Sequence, residues 1–538
     1  MKHFKLRPRT FAIQWDLHAW AGVAASLFAF VMFFFGVFAL LFESMIVWQD
    51  PALHAPPGDA EPSFDALMTT VREATTVPDG GGVAFWRHDG TRWVTAFVSE
   101  PGDGKDQERL WVDPATGTVV PERTRIAEEL YVMHFFYRLP GGLYLAGVMA
   151  MLLCVSLVAG LVIHLKDLRR QWWRFRPELR LRFSASDAHK VLGVFGLPFA
   201  LVLAWSGALI CLGGPIGQGM AEAAYGGDLA RVGRLAGRAP PPGPPSGTPA
   251  PVLPLDTLRD RAMATNGATE GPEYVALRNV GHDNARVRMH FHGEAFEGSR
   301  DVYLDANDGR VVTTDAATAT PFHRLETVLW DLHFASYGGV LLQLLYALLA
   351  LCGCAVIVTG TLVWLERRDP HRRHAGHRIL ERVTLGVCGG AVVAAAAYLA
   401  ANRALPWDLP HRADRELQGF LAVWALTAFA GAASRATVRR TGAAMAGVAA
   451  TLFATVVLAD VVTLRANLLT AATQGLADVV LVEAVVAALA LGCASLAAAL
   501  ARPARRRVAP AEAPEAPAEP PTFPVHPHRA ARAETVRE

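Results

Sequence analysis

Trp15-Asp16-Leu17-His18 opens an apolar run from Trp20 to Val47, in which the first charge after the histidine is Glu43. The phrase returns along the chain. Asp187-Ala188-His189 keeps the aspartate and the histidine, and Gly22 and Gly36 recur as Gly193 and Gly207 at the same offset. Trp330-Asp331-Leu332-His333 repeats the tetrapeptide before another apolar run, and Met133-His134 precedes a fourth. A bilayer span needs about 20 apolar residues, and each run is long enough. The stretch therefore predicts a predominantly α-helical polytopic membrane protein with a histidine at the mouth of four of its spans.

The composition agrees. The 538 residues are 52% hydrophobic and 19% charged, less charge than a soluble chain of this size carries. Apolar runs near 20–47, 141–164, 190–213, 338–365, 383–402, 418–433, 442–464 and 479–500 predict eight spans, although the sixth is short and the eighth contains Glu483. Lys and Arg crowd the N-terminus, 166–182, 367–382, 435–440 and 502–507. With eight spans all five clusters fall on one side, which makes that side, and both termini, cytoplasmic. The first helix reads as uncleaved, because its apolar run is too long for a signal peptide. The net charge of +2 gives no reason to expect a nucleic-acid partner. All six cysteines fall in expected spans, so no disulfide framework is expected, and Cys352 and Cys354 read as packing residues.

The expected domains follow in order. Residues 1–47 hold the N-terminus and first span, and 48–133 a first outer module. Residues 134–165 form the second span, 166–188 a basic loop and 189–213 the third span. A second outer module at 214–330 includes the Pro-rich linker 239–254, which should be extended. Residues 331–365 form the fourth span, 366–382 a basic loop, 383–500 a bundle of four further spans and 501–538 a disordered tail. Each outer module reads as one helix and four strands. The first has a helix from Phe64 capped by Ser63, alternating strands at 83–87 and 92–98, and a strand, turn, strand unit at 110–120. The second has a helix at 255–264, strands at 274–278 and 287–292, and a strand, turn, strand unit at 302–312. Asp113 to Gly117 and Asp305 to Gly309 are the matching turns. The same order in both halves predicts an internal parallel repeat across the first four spans.

At these residues the chain resembles the PepSY-associated transmembrane helix family of bacterial inner-membrane proteins. The Asp-x-His openings at 16–18 and 187–189, the Leu-His opening at 332–333 and the two Asp-x-x-x-Gly turns carry the resemblance. It covers about two-thirds of the chain. The group includes haem-binding reductases that release iron from ferric siderophores at the periplasmic face. The resemblance thus implies a b-type haem protein of the inner membrane acting in iron uptake, with two small periplasmic PepSY-like modules. The four additional C-terminal spans depart from the family's plan.

Neutral imidazole is a good axial ligand for haem iron, and bundle cores build such sites from facing helices. The twofold plan predicts that His18 faces His189 near the cytoplasmic side and His134 faces His333 near the outer side. Each pair would ligate one haem b, two in all. His164 is an alternative ligand of the inner pair, or an interfacial anchor. Gly22, Gly193, Gly36 and Gly207 should leave room for a macrocycle or a neighbouring helix. Asp16, Asp187 and Asp331 read mainly as helix N-caps, with a role as hydrogen-bond acceptors behind the histidines as the alternative, and Tyr137 and Arg138, just after His134, could meet a haem propionate. His290 and His292 read as a solvated strand pair, and His371, His374 and His377 as part of a basic loop. Trp172, Trp173 and Trp407 read as interfacial aromatics, while Asp460, Arg465, Asp478 and Glu483 mark span ends. No dinucleotide or phosphate-binding fingerprint occurs, so the electron donor should be a membrane quinol or a cytoplasmic flavoprotein. Two other readings stand beside this one. The outer modules could bind a periplasmic peptide or protein partner without catalysis, or the parallel halves could form a transporter.

Overall fold

The computed structural model describes residues 7–56, 58, 61–102, 107–165, 181–235, 242–293, 296, 300–314, 320–366, 375–463 and 468–502. The expected features at Trp172, Trp173, His371, His374, Arg465 and the C-terminal tail lie outside these residues.

Eight described helices are long and apolar enough to cross a membrane: α1 (Pro8–Ala39), α5 (Gly142–His164), α6 (Leu181–Tyr225), α10 (Gly339–Glu366), α11 (Ala375–Ala404), α12 (Arg412–Ala433), α13 (Val438–Thr463) and α15 (Ala477–Ala501). The shorter ones are α2 (Phe42–Gln49), α3 (Phe64–Ala74), α4 (Ile126–Met133), α7 (Leu229–Leu235), α8 (Leu255–Asn266), α9 (Pro321–Phe334) and α14 (Leu468–Thr473).

The first apolar run is divided differently from the expectation. α1 starts at Pro8, well before Trp15, and stops at Ala39. The apolar residues beyond it, Met45 to Trp48 on α2, are buried inside the protein, so their apolarity serves packing rather than lipid contact. The second and fourth runs also break. α4 ends at Met133 with His134 as its C-cap and α5 begins only after Gly141, with Phe136 (φ 57°) and Gly141 (φ 71°) turning the chain; Ala335 (φ 55°) and Gly339 (φ 61°) do the same between α9 and α10. His134, as the C-cap of α4, and His333, inside α9, therefore stand on short helices that precede the spans.

α1, α5, α6 and α10 form a ring in which α1 touches α5, α5 touches α6, α6 touches α10 and α10 closes on α1. α1 and α6 are thus diagonal. α11, α12, α13 and α15 form a second group, joined to the ring where α11 meets α1, α4 and α10 and where α15 meets α2.

The eight strands form one antiparallel sheet in the order β4-β3-β2-β1-β5-β6-β7-β8: β1 (Gly82–Arg87), β2 (Val94–Ser99), β3 (Gln107–Val112), β4 (Val119–Pro121), β5 (Tyr274–Arg278), β6 (Arg286–Phe291), β7 (Arg300–Asp305) and β8 (Val311–Thr314). The two outer stretches were expected as separate modules. Instead β1 pairs with β5, from Gly82↔Arg278 to Trp86↔Tyr274. Joining the inner edges leaves only the short β4 and β8 as sheet edges, which limits unpaired backbone. On β6, Val287, Met289 and Phe291 are buried while Arg286, Arg288 and His290 are partly exposed, the period-two alternation of a half-covered sheet. Phe64, Leu67 and Val71 of α3 and Leu255, Leu258 and Ala262 of α8 cover its core face. The Asp-x-x-x-Gly turns behave alike. Gly117 and Gly309 (φ 68° and 73°) each donate their N–H to the carbonyl of the opening aspartate, Asp113 and Asp305, at 2.8 and 2.9 Å.

α3 and α8 cap one another. Asp256 accepts from the Phe64 N–H at 2.8 Å, and Asp65 accepts from the Leu255 N–H at 2.7 Å and the Asp256 N–H at 3.2 Å. Ser63 accepts from Ala66 N–H, the cap legible locally. The crossed aspartates satisfy N-terminal donors of a helix about 190 residues away. Asp65→Ala and Asp256→Ala should each destabilise the sheet layer by about 1 kcal/mol, with less than additive loss in the double variant. Thermal unfolding in detergent measures this; no shift in either variant would contradict the crossed cap.

Candidate functional site

His18 lies in the third turn of α1 and His189 in the third turn of α6. Across the ring their imidazole centroids are 6.0 Å apart with planes at 61°. His18 Nδ1 donates to the Ser156 carbonyl on α5 at 2.8 Å, and His189 Nδ1 donates to the Val356 carbonyl on α10 at 2.9 Å. A carbonyl only accepts, so each Nδ1 carries a proton, and in a neutral ring the lone pair is then on Nε2.

His134 and His333 make a second pair, with centroids 6.1 Å apart and planes at 52°. His134 Nδ1 donates to the Met32 carbonyl at 2.6 Å. His333 Nδ1 is 2.8 Å from Ser206 Oγ, whose own hydroxyl donates to the Val202 carbonyl at 2.7 Å. That serine proton is committed, so His333 is the donor and its Nε2 also keeps a lone pair. A metal–imidazole bond is about 2 Å, so two rings sharing one ion would stand with their centres about 6 Å apart. Both pairs have that spacing. His134 meets α1 at Met32 and Gly36, fourteen and eighteen residues after His18. At about 1.5 Å per residue the two pairs are roughly 20–27 Å apart along the bundle.

A glycine seats each ring. A Cβ on Gly160 would lie 2.8 Å from His18 Nδ1, and one on Gly360 2.8 Å from His189 Cε1. At Gly36 and Gly207 the corresponding distances are 3.1 Å to His134 and 3.2 Å to His333. The sequence suggested that Gly36 and Gly207 make room for a macrocycle or a helix; they make room for imidazoles. Gly22 faces Ser156 Oγ at 3.0 Å, while a Cβ on Gly193 would be in ordinary contact with Val356 at 3.9 Å, beside an open space.

That space is a cavity of about 400 Å³ around His18 and His189. Its walls are apolar toward the middle of the ring, with Ala29, Leu153 and Leu197. It is also lined by Asp16, His164 and Lys190 and by the Trp20–Trp364 pair, whose rings are 5.8 Å apart. His164 stands one turn beyond Gly160 on α5 and borders the cavity, but the ring opposite His189 is that of His18. Among the described residues no group of three or more His, Cys, Asp or Glu gathers as a metal site; each pair offers two nitrogens from opposite sides.

The pattern that defines the PepSY-associated TM region matches residues 15–367, a stretch that contains all four paired histidines. The chain belongs to this family. An uncharacterized protein of Pseudomonas aeruginosa is similar, 32% identical over 286 residues, which are 49% of this chain and 68% of the relative. Family membership and eight apolar helices together make this a multi-pass membrane protein. α11 to α15 lie beyond the family region.

Other expected site features fall elsewhere in this PepSY-associated chain. Asp16, Asp187 and Asp331 sit inside α1, α6 and α9, not at N-caps, because each helix starts well upstream of its histidine. Asp331 accepts from the Phe296 N–H at 2.8 Å and the Ser336 hydroxyl at 2.9 Å. Arg138 is committed to the buried Glu129 through Nε at 2.9 Å, and Tyr137 is exposed. His290 is held by Asp301 at 2.7 Å. Burial opposes the Asp301 charge, but the His290 and Arg288 hydrogen bonds outweigh it and keep the carboxyl below its usual range. His292 lies 3.0 Å from Glu273. His377 lies in the first turn of α11 and packs on Trp364 at 5.7 Å.

The C-terminal helices hold a buried polar network that sequence reading missed. Arg403 binds Asp460 at 2.8 Å and the Trp48 carbonyl at 3.1 Å, and its guanidinium lies 3.7 Å from the centre of the Trp48 ring. Trp48 Nε1 donates to Glu483 at 2.7 Å. Glu416, fully buried, is ion-paired with Arg412 at 2.7 Å and accepts from the Thr124 hydroxyl at 2.7 Å. Trp407, expected in the interface, carries the Arg412 guanidinium 3.8 Å from its centre. Asp460 and Glu483 thus join α13 and α15 to α2 and α11 rather than merely marking span ends. Beside the network, burial and then the Arg403 charge push His54 down to about 4.

Proposed function

We propose that this protein is a b-type di-haem electron-transfer protein of the bacterial inner membrane. It passes electrons outward to a periplasmic acceptor, a ferric siderophore, which is reduced so that iron is released for uptake. In this reading the termini are cytoplasmic, the sheet stands in the periplasm as two joined PepSY-like modules, and the first four spans are two copies of one plan.

The observation that carries the proposal is the pair of facing imidazole couples, at 6.0 and 6.1 Å, with all four Nδ1 protons committed elsewhere. Such outer hydrogen bonds fix a ligand's tautomer and ring orientation. His18 with His189, and His134 with His333, are the residues that would hold haem b. Bound there, the group supplies a one-electron Fe(III)/Fe(II) couple. The chain's own contribution is to fix four ring orientations, to seat them against glycine and to line the deep end of the inner cavity with apolar side chains. Two stations shorten a crossing of about 30 Å of hydrocarbon. A membrane quinol or a cytoplasmic flavoprotein is the proposed donor.

The test is substitution with haem counting. His134→Ala and His333→Ala should each lower the content from two haems to one, and the remaining haem should have the same spectrum in both variants. His18→Ala and His189→Ala should remove the other. Proteoliposomes with reductant supplied opposite the sheet should deliver Fe(II) from a ferric siderophore, captured by a chelator, and each variant should slow this at least tenfold. Full haem content in all four variants, or no Fe(II) from the intact protein, would favour a non-enzymatic module that binds a periplasmic partner.

A further inference from the structure

We propose that His164 and Lys190 form the anion-holding wall of the His18–His189 cavity and bind the carboxylates of its ligand, a flat apolar macrocycle with two acidic side arms. The inference rests on the haem reading and deepens it, because it states which way the group sits.

The cavity is amphipathic along the bundle. Its floor near Ala29, Leu153 and Leu197 is apolar, and its other end is polar. At that end the charges are unevenly placed. His164 lies four residues after Gly160 on α5, so the two share a face and His164 stands about 6 Å along the axis from the seat of His18. Lys190 follows His189 on α6 and borders the same cavity. α5 and α6 are neighbours in the ring, so the two cationic or proton-donating groups belong to one wall.

The opposite wall lacks both. The residue four after Gly360 on α10 is Trp364, where α5 has His164, and the residue after His18 on α1 is Ala19, where α6 has Lys190. Asp16 of α1 also borders the cavity and repels a carboxylate from that side. The axis between the ligand nitrogens runs from α1 to α6. A flat ligand perpendicular to it therefore presents its edges toward α5 and α10 and toward the two ends of the cavity. Its acidic edge meets His164 and Lys190, and an apolar edge meets the Trp20–Trp364 pair.

The test uses the full-length chain carrying His134→Ala, so that only the inner site reports, prepared without haem and titrated with haem b or with haem b dimethyl ester. The free acid should bind at least about tenfold more tightly than the ester, the scale of one charge-assisted hydrogen bond. Lys190→Met and His164→Leu should each weaken the acid several-fold and leave the ester unchanged, while Lys190→Arg restores the preference. Equal affinity for acid and ester, or substitutions that weaken both alike, would overturn the proposal. If the His134→Ala chain binds neither compound with a bis-imidazole spectrum, the haem reading fails and this inference with it.

Discussion

On the proposed di-haem reading, a Gly160→Leu variant is expected to retain one haem per chain instead of two, with the loss confined to the His18–His189 site. The argument is steric. A Cβ at position 160 would lie 2.8 Å from His18 Nδ1 and 2.9 Å from Cε1, closer than carbon approaches a ring atom without displacement. α5 cannot retreat, because the ring in contact with Gly160 also donates to Ser156 one turn earlier on the same helix. The imidazole must swing away, and a displacement of about 1 Å is enough to spoil a positioned site. Gly360→Leu should give the same phenotype through His189, where the Cβ would lie 2.8 Å from Cε1 and 3.0 Å from Nδ1. Alanine at Gly36 or Gly207 meets its ring at 3.1 or 3.2 Å and should weaken the outer site without abolishing it. Haem counting in purified variants reads all four; two haems in Gly160→Leu would refute the seat.

Arg403→Ala should cost about 3–5 kcal/mol of stability, the scale for removing one partner of a buried ion pair. Asp460 would be left buried without its guanidinium, and the Trp48 carbonyl and ring would lose their cation. The expected consequence is detachment of α13 and α15 from α2, seen as a lower unfolding temperature in detergent and new protease sensitivity near α14. Adding Asp460→Asn should recover about half of the loss, because it removes the stranded charge. A single variant as stable as the parent would show that the network does not hold the C-terminal helices.

Much of this was legible because local patterns carried it. Alternation placed the strands near β1 to β8, and Ser63 marked the start of α3. The Asp-x-x-x-Gly turns were readable because a left-handed position favours glycine. The recurrence of Asp-x-His with two glycines at fixed spacing singled out four histidines, and the structure brings them together in twos. What stayed hidden depends on partners distant in sequence. β1 meets β5, Asp65 caps a helix that begins at Leu255, and Asp460 answers Arg403. The same holds for the glycines: that Gly36 faces an imidazole rather than a macrocycle depends on where α4 ends. Hydropathy also misled at 40–48, because residues buried against α4 and α15 look like residues facing lipid. The aspartates were misread as caps because an apolar run shows where lipid begins, not where a helix begins.

The most direct measurement is the haem content of the purified intact chain, read with its low-temperature electron paramagnetic resonance. The account predicts two haems b per 57.9 kDa chain, both low-spin with two imidazole ligands. A folded chain that binds no haem when haem is supplied during expression, or that binds it high-spin with one ligand, would contradict the facing imidazole pairs as haem ligands.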